Sequence, residues 1–165
     1  MLSFYPIFDW GDTLMRDDPH QPGPMYLWDH IELIEGVQDC LEILSKQFVL
    51  SVATNAGGSN EEAVRKAFKR IDIEKYFTHF FTSKEIGFEK PDTRFFYAIH
   101  QRLKVAPANC IMIGNLYEKD VVGAFNSGMK TIFFNENELQ GDFVMANEIC
   151  TQFKDVYNAI IRIST

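Results

Sequence analysis

The sequence predicts an α/β fold, a three-layer sandwich around a mainly parallel central sheet, and three observations lead there. Short apolar runs alternate with amphipathic helical stretches along the 165 residues. The runs are hydrophobic along their whole length, as strands covered on both faces must be. Small and polar residues gather just after those runs, where open parallel sheets bind their ligands.

The elements follow in order. Ser3 to Phe8 forms a first buried strand. After the Gly36 break, Val37 to Lys46 carries Val37, Leu41 and Leu44 on one helical face. Phe48 to Ala53 is a second strand, ending in the small-residue turn Thr54-Asn55-Ala56-Gly57-Gly58. Ser59 or Asn60 caps the next helix, with Glu61 and Glu62 suited to its first turn. That helix runs to about Arg70 and buries Val64, Ala67 and Phe68. His79 to Thr82 is a third strand. Asp92 caps a helix from Thr93 to Leu103, just after Lys90-Pro91. Cys110 to Ile113 is a fourth strand, Glu118 to Ser127 a helix closed by Gly128, and Thr131 to Phe134 a fifth strand. Phe143 to Met145 is a short sixth, before a closing helix from Ile149 to Ile161.

Composition narrows the function. One domain over 1–165 fits the length. Fifteen Phe promise a ring-rich core. The net charge of −7 opposes a nucleic-acid partner. The dense basic stretch Arg65, Lys66, Lys69, Arg70 has helical spacing and reads as a solvated face. Cys40, Cys110 and Cys150 lack metal or disulfide spacing and read as buried thiols of a reducing compartment. No apolar run reaches eighteen residues and the start lacks a basic leader, so no membrane partner and a cytoplasmic location are expected. His20, His30, His79 and His100 show no ligand spacing. Trp10 reads as core, and Lys84-Glu85 as an exposed turn.

The strand ends are chemically coherent. They offer Asp9-Trp10-Gly11-Asp12-Thr13 after the first strand and Thr54-Asn55 after the second. Lys90-Pro91 precedes the fourth, and Gly114-Asn115 with Asp120 follows it. Carboxylates, a hydroxyl, an amide and an ammonium are what phosphoryl transfer needs. A carboxylate can attack phosphorus, a divalent cation offsets the repulsion, and fixed donors hold the phosphoryl oxygens.

These residues resemble the haloacid dehalogenase superfamily of phosphatases and related hydrolases. Ile7-Phe8-Asp9 through Thr13-Leu14 looks like its first motif and Val52-Ala53-Thr54-Asn55 like its second. Lys90-Pro91 matches the third, and Ile113-Gly114-Asn115 with Asp120 the fourth in outline. The resemblance implies a Rossmann-like sandwich and a phosphatase using Mg²⁺. Asp9 would be nucleophile and metal ligand, with the Gly11 carbonyl, Asn115 and Asp120 completing the metal set. Thr54 and Asn55 would bind the phosphoryl group and Lys90 would neutralise and orient it.

Two positions depart from the pattern. The family's phosphatases usually carry a second aspartate, a general acid and base, two residues after the nucleophile. Here that position is Gly11 and the carboxylate comes next, as Asp12. Asp12 either takes over the role or accepts backbone N–H bonds within the turn. Asn115 stands where phosphatase members usually have Asp, and removes one charge from the metal set. A catalytically degenerate domain that binds a phospholigand or a protein is therefore the alternative function, and attack on carbon, as in dehalogenases, a more distant third. Only a Pro-rich stretch, 15–35, separates the first motif from the first helix, so no separate cap domain is expected and this stretch would act as a flap or contact surface. An open site suits a phosphorylated macromolecule, or a small molecule if a homo-oligomer partner covers it.

Overall fold

A computed structural model describes residues 4–55 and 57–165. Six strands lie side by side: β1 (Tyr5–Phe8), β2 (Leu50–Thr54), β3 (Phe77–Thr82), β4 (Cys110–Gly114), β5 (Lys130–Phe134) and β6 (Glu148–Cys150). Their order is β3-β2-β1-β4-β5-β6 and every neighbouring pair is parallel. The chain builds outward from β1 to β3, then returns to the other side of β1 and builds outward to β6. The direction reverses between β1 and β4, which opens a crevice at their carboxyl ends.

Successive residues of β1 feed opposite layers, because side chains alternate along a strand. Phe8 enters a core with Trp10, Leu41, Phe68, Val156 and Ile160, beneath helices α1 (Val37–Ser45), α2 (Glu61–Arg70) and α6 (Val156–Ser164). Ile7 enters the other, with Phe81, Phe95, Phe96, Met112 and Ala124, beneath α4 (Thr93–Leu103) and α5 (Gly123–Asn126). A short α3 (Ser83–Ile86) completes the helices of the described residues. The expected caps are in place. Asn60 accepts from Ala63 N at 3.0 Å, and Asp92 from Arg94 N at 2.9 Å.

The ends of several elements differ from expectation. Ser3 lies outside the described residues. Phe48 is not yet strand, because its N–H and that of Gln47 close α1 on the Leu44 carbonyl. The third strand begins earlier, at Phe77. The sixth strand is Glu148–Cys150, not Phe143 to Met145. Phe143 instead packs its ring on Tyr117 and Phe133, at 4.9 and 4.7 Å between centroids, and Asn147 N ties the chain to Thr131 O where β6 begins. That displacement pushes the closing helix to Val156–Ser164. After β4 a π-helical turn, Tyr117–Val122, runs into α5.

The expected solvated basic face of α2 is present, with Lys66, Lys69 and Arg70 exposed. The basic face of α2 pairs with Glu61, Glu62 and Glu74, but Arg70 does more, donating to the carbonyls of Tyr26 and Trp28. The 15–35 stretch is no free flap. Trp28, Ile31 and Ile34 are buried, Trp28 Nε1 donates to Gly23 O at 3.1 Å, and the only regular helix within it is a single 3₁₀ turn, Met25–Leu27. No helix of the described residues is long and apolar enough to cross a membrane.

Cys40, Cys110 and Cys150 are buried and unpaired by disulfide. Burial pushes the thiols of Cys40 and Cys110 up to about 12 and that of Cys150 to about 11. Because the thiolate is the reactive form, a thiol reagent at pH 8 is expected to leave all three unlabelled in the folded protein. It should modify all three in denaturant, and labelling under native conditions would contradict this packing.

Candidate active site

The crevice residues are set from β1 outward. Asp9 follows the last residue of β1, and its N–H donates to Ile113 O of β4 at 2.9 Å, so the backbone is still sheet-bound where the carboxylate begins. The chain then turns tightly. The Trp10 carbonyl accepts from Leu14 N at 2.8 Å and Thr13 N at 3.1 Å, while the indole anchors in the core, edge-on to Phe68 at 5.0 Å.

Lys90 is the centre of the site. Its Nζ donates to Asp9 Oδ1 at 2.7 Å, Asp120 Oδ1 at 2.7 Å and Ala53 O at 3.0 Å, and the side chain is 3% exposed. Asn55 fixes its backbone with both ends of one amide: Oδ1 accepts from Lys90 N at 2.8 Å and Nδ2 donates to Lys90 O at 2.9 Å. Burial works against the Lys90 charge, but the two carboxylates outweigh it and raise its pKa. Asp120 is wholly buried in the π-helical turn, and its Oδ2 accepts from Leu116 N at 3.0 Å. Burial and the neighbouring Asp9 push its carboxyl up, against the pull of Lys90. Gly114 makes the approach possible. A Cβ there would lie 2.3 Å from Asp120 Cγ, inside any real contact.

The other oxygen of Asp9 faces a polar cluster. Thr13 Oγ1 donates to Asp9 Oδ2 at 3.2 Å. The end of the Asn115 side chain nearest Asp9 meets acceptors, so it is the amide nitrogen. It donates to Asp9 Oδ2 at 3.0 Å and to Gly11 O at 3.2 Å, with Thr13 Oγ1 also at 3.2 Å. These separations test the site for Mg²⁺. Octahedral ligands at 2.0–2.1 Å from the ion are about 2.9–3.0 Å apart along an edge. A half turn of the Asn115 amide would present an oxygen at that spacing to Asp9 Oδ2 and the Gly11 carbonyl, so this donor set fits the ion with one carboxylate. Asp120 has both oxygens engaged elsewhere, and no three acidic, His or Cys side chains of the described residues form a metal cluster.

Asp12 adopts φ 55°, a left-handed conformation that Asp tolerates better than most residues. Its Oδ1 accepts from Asp17 N at 3.0 Å. It also lines a cavity of about 170 Å³ with Arg16, Asn115, Asn135 and Glu136. Of the two roles open to it in the sequence, the geometry favours the turn-holding one. Thr54 is buried at the end of β2, beside a cavity-lining turn in which Gly57, Gly58, Ser59 and Asn60 face Pro24 and Tyr26 across about 540 Å³. Ala56 lies outside the described residues. Lys84 and Glu85 sit in α3, where Lys84 donates to Gly58 O and Glu85 accepts from Glu61 N.

Thr13 and Gly114 stood in the sequence motifs without an assigned role, and Asp17 was missed there. Thr13 bridges Asp9 and Asn115, Gly114 clears space for Asp120, and Asp17 lies over Gly11, with its Cβ 3.6 Å from where a residue-11 Cβ would be. Burial first, then Asp12, raises the pKa of the Asp17 carboxyl. Gly114 had a readable signal in its place between a strand and the Asn115 turn. Asp17 had none, since its reach depends on how the loop folds.

Comparison with known proteins places the chain among related sequences and folds. Residues 24–134 match the haloacid dehalogenase-like hydrolase family, a span that holds Thr54, Asn55, Lys90, Asn115 and Asp120 and begins after the Asp9 turn. Glyceraldehyde 3-phosphate phosphatase of Methanothermobacter thermautotrophicus is 34% identical over 109 residues, 65% of this chain and 47% of that protein. Human N-acylneuraminate-9-phosphatase is 30% identical over 118 residues, 68% of this chain and 46% of its own. The chain thus spans about half the length of the curated relatives it matches. Among solved structures, an uncharacterized protein from Listeria monocytogenes serotype 4b superposes with a TM-score of 0.86 at 23% identity, covering 98% of each chain. A 2-haloacid dehalogenase from Pseudomonas syringae pv. Tomato superposes with a TM-score of 0.79 at 18% identity, covering 97% of this chain and 99% of its own. At these identities the two structures speak for the fold.

Replacing Lys90 by Met leaves two carboxylates in the crevice without their cation. Removing one partner of such a buried pair costs about 3–5 kcal/mol, so Lys90→Met is expected to lose that much stability at pH 7 in denaturant titrations. Asp120, whose carboxyl burial already pushes up, then loses the opposing pull of Lys90 and binds its proton more tightly folded than unfolded, so the native state gains stability as pH falls. The deficit should shrink toward pH 4, and a pH-independent deficit would contradict the assignment.

Proposed function

The chain belongs to the haloacid dehalogenase-like hydrolase family, and from that premise we propose that it is a magnesium-dependent phosphohydrolase working through an aspartyl-phosphate on Asp9. The observation that carries this reading is the division of the Asp9 carboxylate. Oδ1 is held by a fully enclosed ammonium, while Oδ2 faces the hydroxyl of Thr13 and the amide of Asn115.

In this reading the Lys90 ammonium holds and aims Asp9 Oδ1, and its charge balances a phosphoryl oxygen as the O–P bond forms. Thr54 and the turn after β2 supply the donors for the remaining oxygens. Asn55 acts through Lys90, whose backbone it brackets. Mg²⁺ would be held by Asp9, the Gly11 carbonyl and Asn115, and when bound it offsets repulsion between carboxylate and phosphate. Asp120 contributes by fixing Lys90 and the Leu116 N–H. A phosphorylated small molecule is supported as substrate by the named activities of the relatives.

A second reading, a domain that binds a phospholigand without turning it over, is favoured by one observation. Asn115 is an amide and brings no charge to the ligand set, which weakens a hold on Mg²⁺.

Phosphate release from a panel of esters with excess Mg²⁺ separates the two readings. The hydrolase reading expects turnover that falls about a thousand-fold or more in Asp9→Asn. Absence of turnover across the panel would favour the binding domain. Magnesium should also raise the melting temperature, since a ligand of the native state stabilises it. Asn115→Asp, which adds a carboxylate to the set, should tighten that magnesium dependence roughly ten-fold. Equal magnesium response in the two proteins would remove Asn115 from the ligand set.

A further inference from the structure

Expelling an alcohol from a phosphate ester needs a proton donor near Asp9, because an alkoxide is a poor leaving group. Four carboxyls bear on the point. Asp9 is the nucleophile in the reading above. Asp120 is wholly buried, with its oxygens on Lys90 and Leu116 N. Asp12 has one carboxylate oxygen on the Asp17 N–H, which holds the loop, and lines a cavity with Arg16, Asn115 and Glu136. Asp17 remains, an exposed residue whose side chain lies against Gly11 at van der Waals distance. Its Cβ, Cγ and Oδ2 lie 3.6, 3.8 and 4.0 Å from the position of a Cβ on residue 11.

That placement is built into the loop. The Asp17 N–H is held by Asp12, the Arg16 N–H donates to Glu32 O at 2.8 Å, and the Arg16 guanidinium clasps Glu136. Met15 bridges Gly11 on one side and Leu33 on the other. The Gly11 carbonyl and Asp9 Oδ2 both lie within 3.2 Å of the end of the Asn115 side chain, so Gly11, against which Asp17 packs, is itself beside the attacking carboxylate.

We propose that Asp17 is the general acid and base of this site, set by the loop against Gly11. The inference rests on the phosphohydrolase reading. As an Asp9 oxygen bonds to phosphorus, the bond to the ester oxygen breaks, and its electron pair takes the Asp17 proton. The ionised Asp17 then removes a proton from the water that attacks the aspartyl-phosphate, releasing inorganic phosphate and restoring Asp9.

The test compares first-turnover release of the leaving group from p-nitrophenyl phosphate and from an alkyl phosphate such as glycerol phosphate. Nitrophenolate leaves without help, and the alkoxide does not. Asp17→Asn is expected to slow alcohol release about 100-fold or more, and nitrophenolate release less than about five-fold. The double variant Gly11→Asp, Asp17→Ala should recover much of the alkyl activity, which a purely structural role for Asp17 would not allow. Equal rates in Asp17→Asn and the parent, or an equal fall on both esters with no recovery, would overturn the assignment. Asp9→Asn run in parallel distinguishes the two failures. If it is dead while Asp17→Asn is unaffected, the hydrolase reading stands and the Asp17 role falls. If the parent hydrolyses neither ester, both fall together.

Discussion

The ammonium of Lys90 is the constraint on which the rest of the site depends. An ammonium has three protons to give, and here they go to Asp9, Asp120 and the carbonyl of Ala53. Those partners come from the chain just after β1, just after β4 and within β2. The three strands are neighbours only because the sheet order runs β2-β1-β4. Burying a charge costs several kcal/mol unless its partners are complete, so one side chain enforces the convergence of three strand ends. Everything around it serves that convergence. Asn55 brackets the Lys90 backbone, and Gly114 has no side chain because Asp120 fills the room.

What the ammonium leaves over is chemically more informative. Two carboxylates and one ammonium carry a net negative charge, and its outlet is Asp9 Oδ2. In this structure that oxygen is answered by a hydroxyl and an amide N–H. An amide is unusual in being able to present a donor or an acceptor at the same place with only a half turn. Asn115 can therefore stand in for an ion by donating, or join an ion's ligands by accepting. The first arrangement competes with the second, because ion binding must break the existing hydrogen bonds. Under the proposed phosphohydrolase reading, that competition and the lost charge would both lower the affinity for Mg²⁺.

The sequence carried the sheet and the positions of Asp9, Thr54, Lys90 and Asp120, because strands buried on both faces are written as continuous apolar runs and their ends as polar breaks. It misled where a ring decided the path. Phe143 looks like strand but packs on Tyr117 and Phe133, and the true sixth strand, Glu148–Cys150, has an ordinary composition and forms because Asn147 is tied to Thr131. The Pro-rich stretch 15–35 looked like a flap, but its buried Trp28, Ile31 and Ile34 and the Arg70 clasp on its carbonyls are tertiary facts without a local pattern. Asn55 was legible as a site residue and not as a bracket, since its type is the same in either use. Asp17 was invisible for a similar reason. Nothing in the spacing of residues 9 and 17 says that a loop will fold one over the other.

The inverted order of Gly11 and Asp12 is best understood as one change rather than two. The turn after Asp9 needs a residue at φ near 55°, and Asp12 takes it with little penalty for a residue of its type. In that conformation its carboxylate captures the Asp17 N–H. Capture draws the loop back over the turn and sets the Asp17 side chain against Gly11. Had residue 11 carried its own carboxylate, it would lie beside that of Asp17 and the two would repel each other. Had residue 12 been glycine, the turn would form but the Asp17 N–H would lose its acceptor. The carboxyl missing from position 11 and the one gained at position 12 are thus linked. Asp12 holds the loop, and the loop sets a carboxyl beside Gly11.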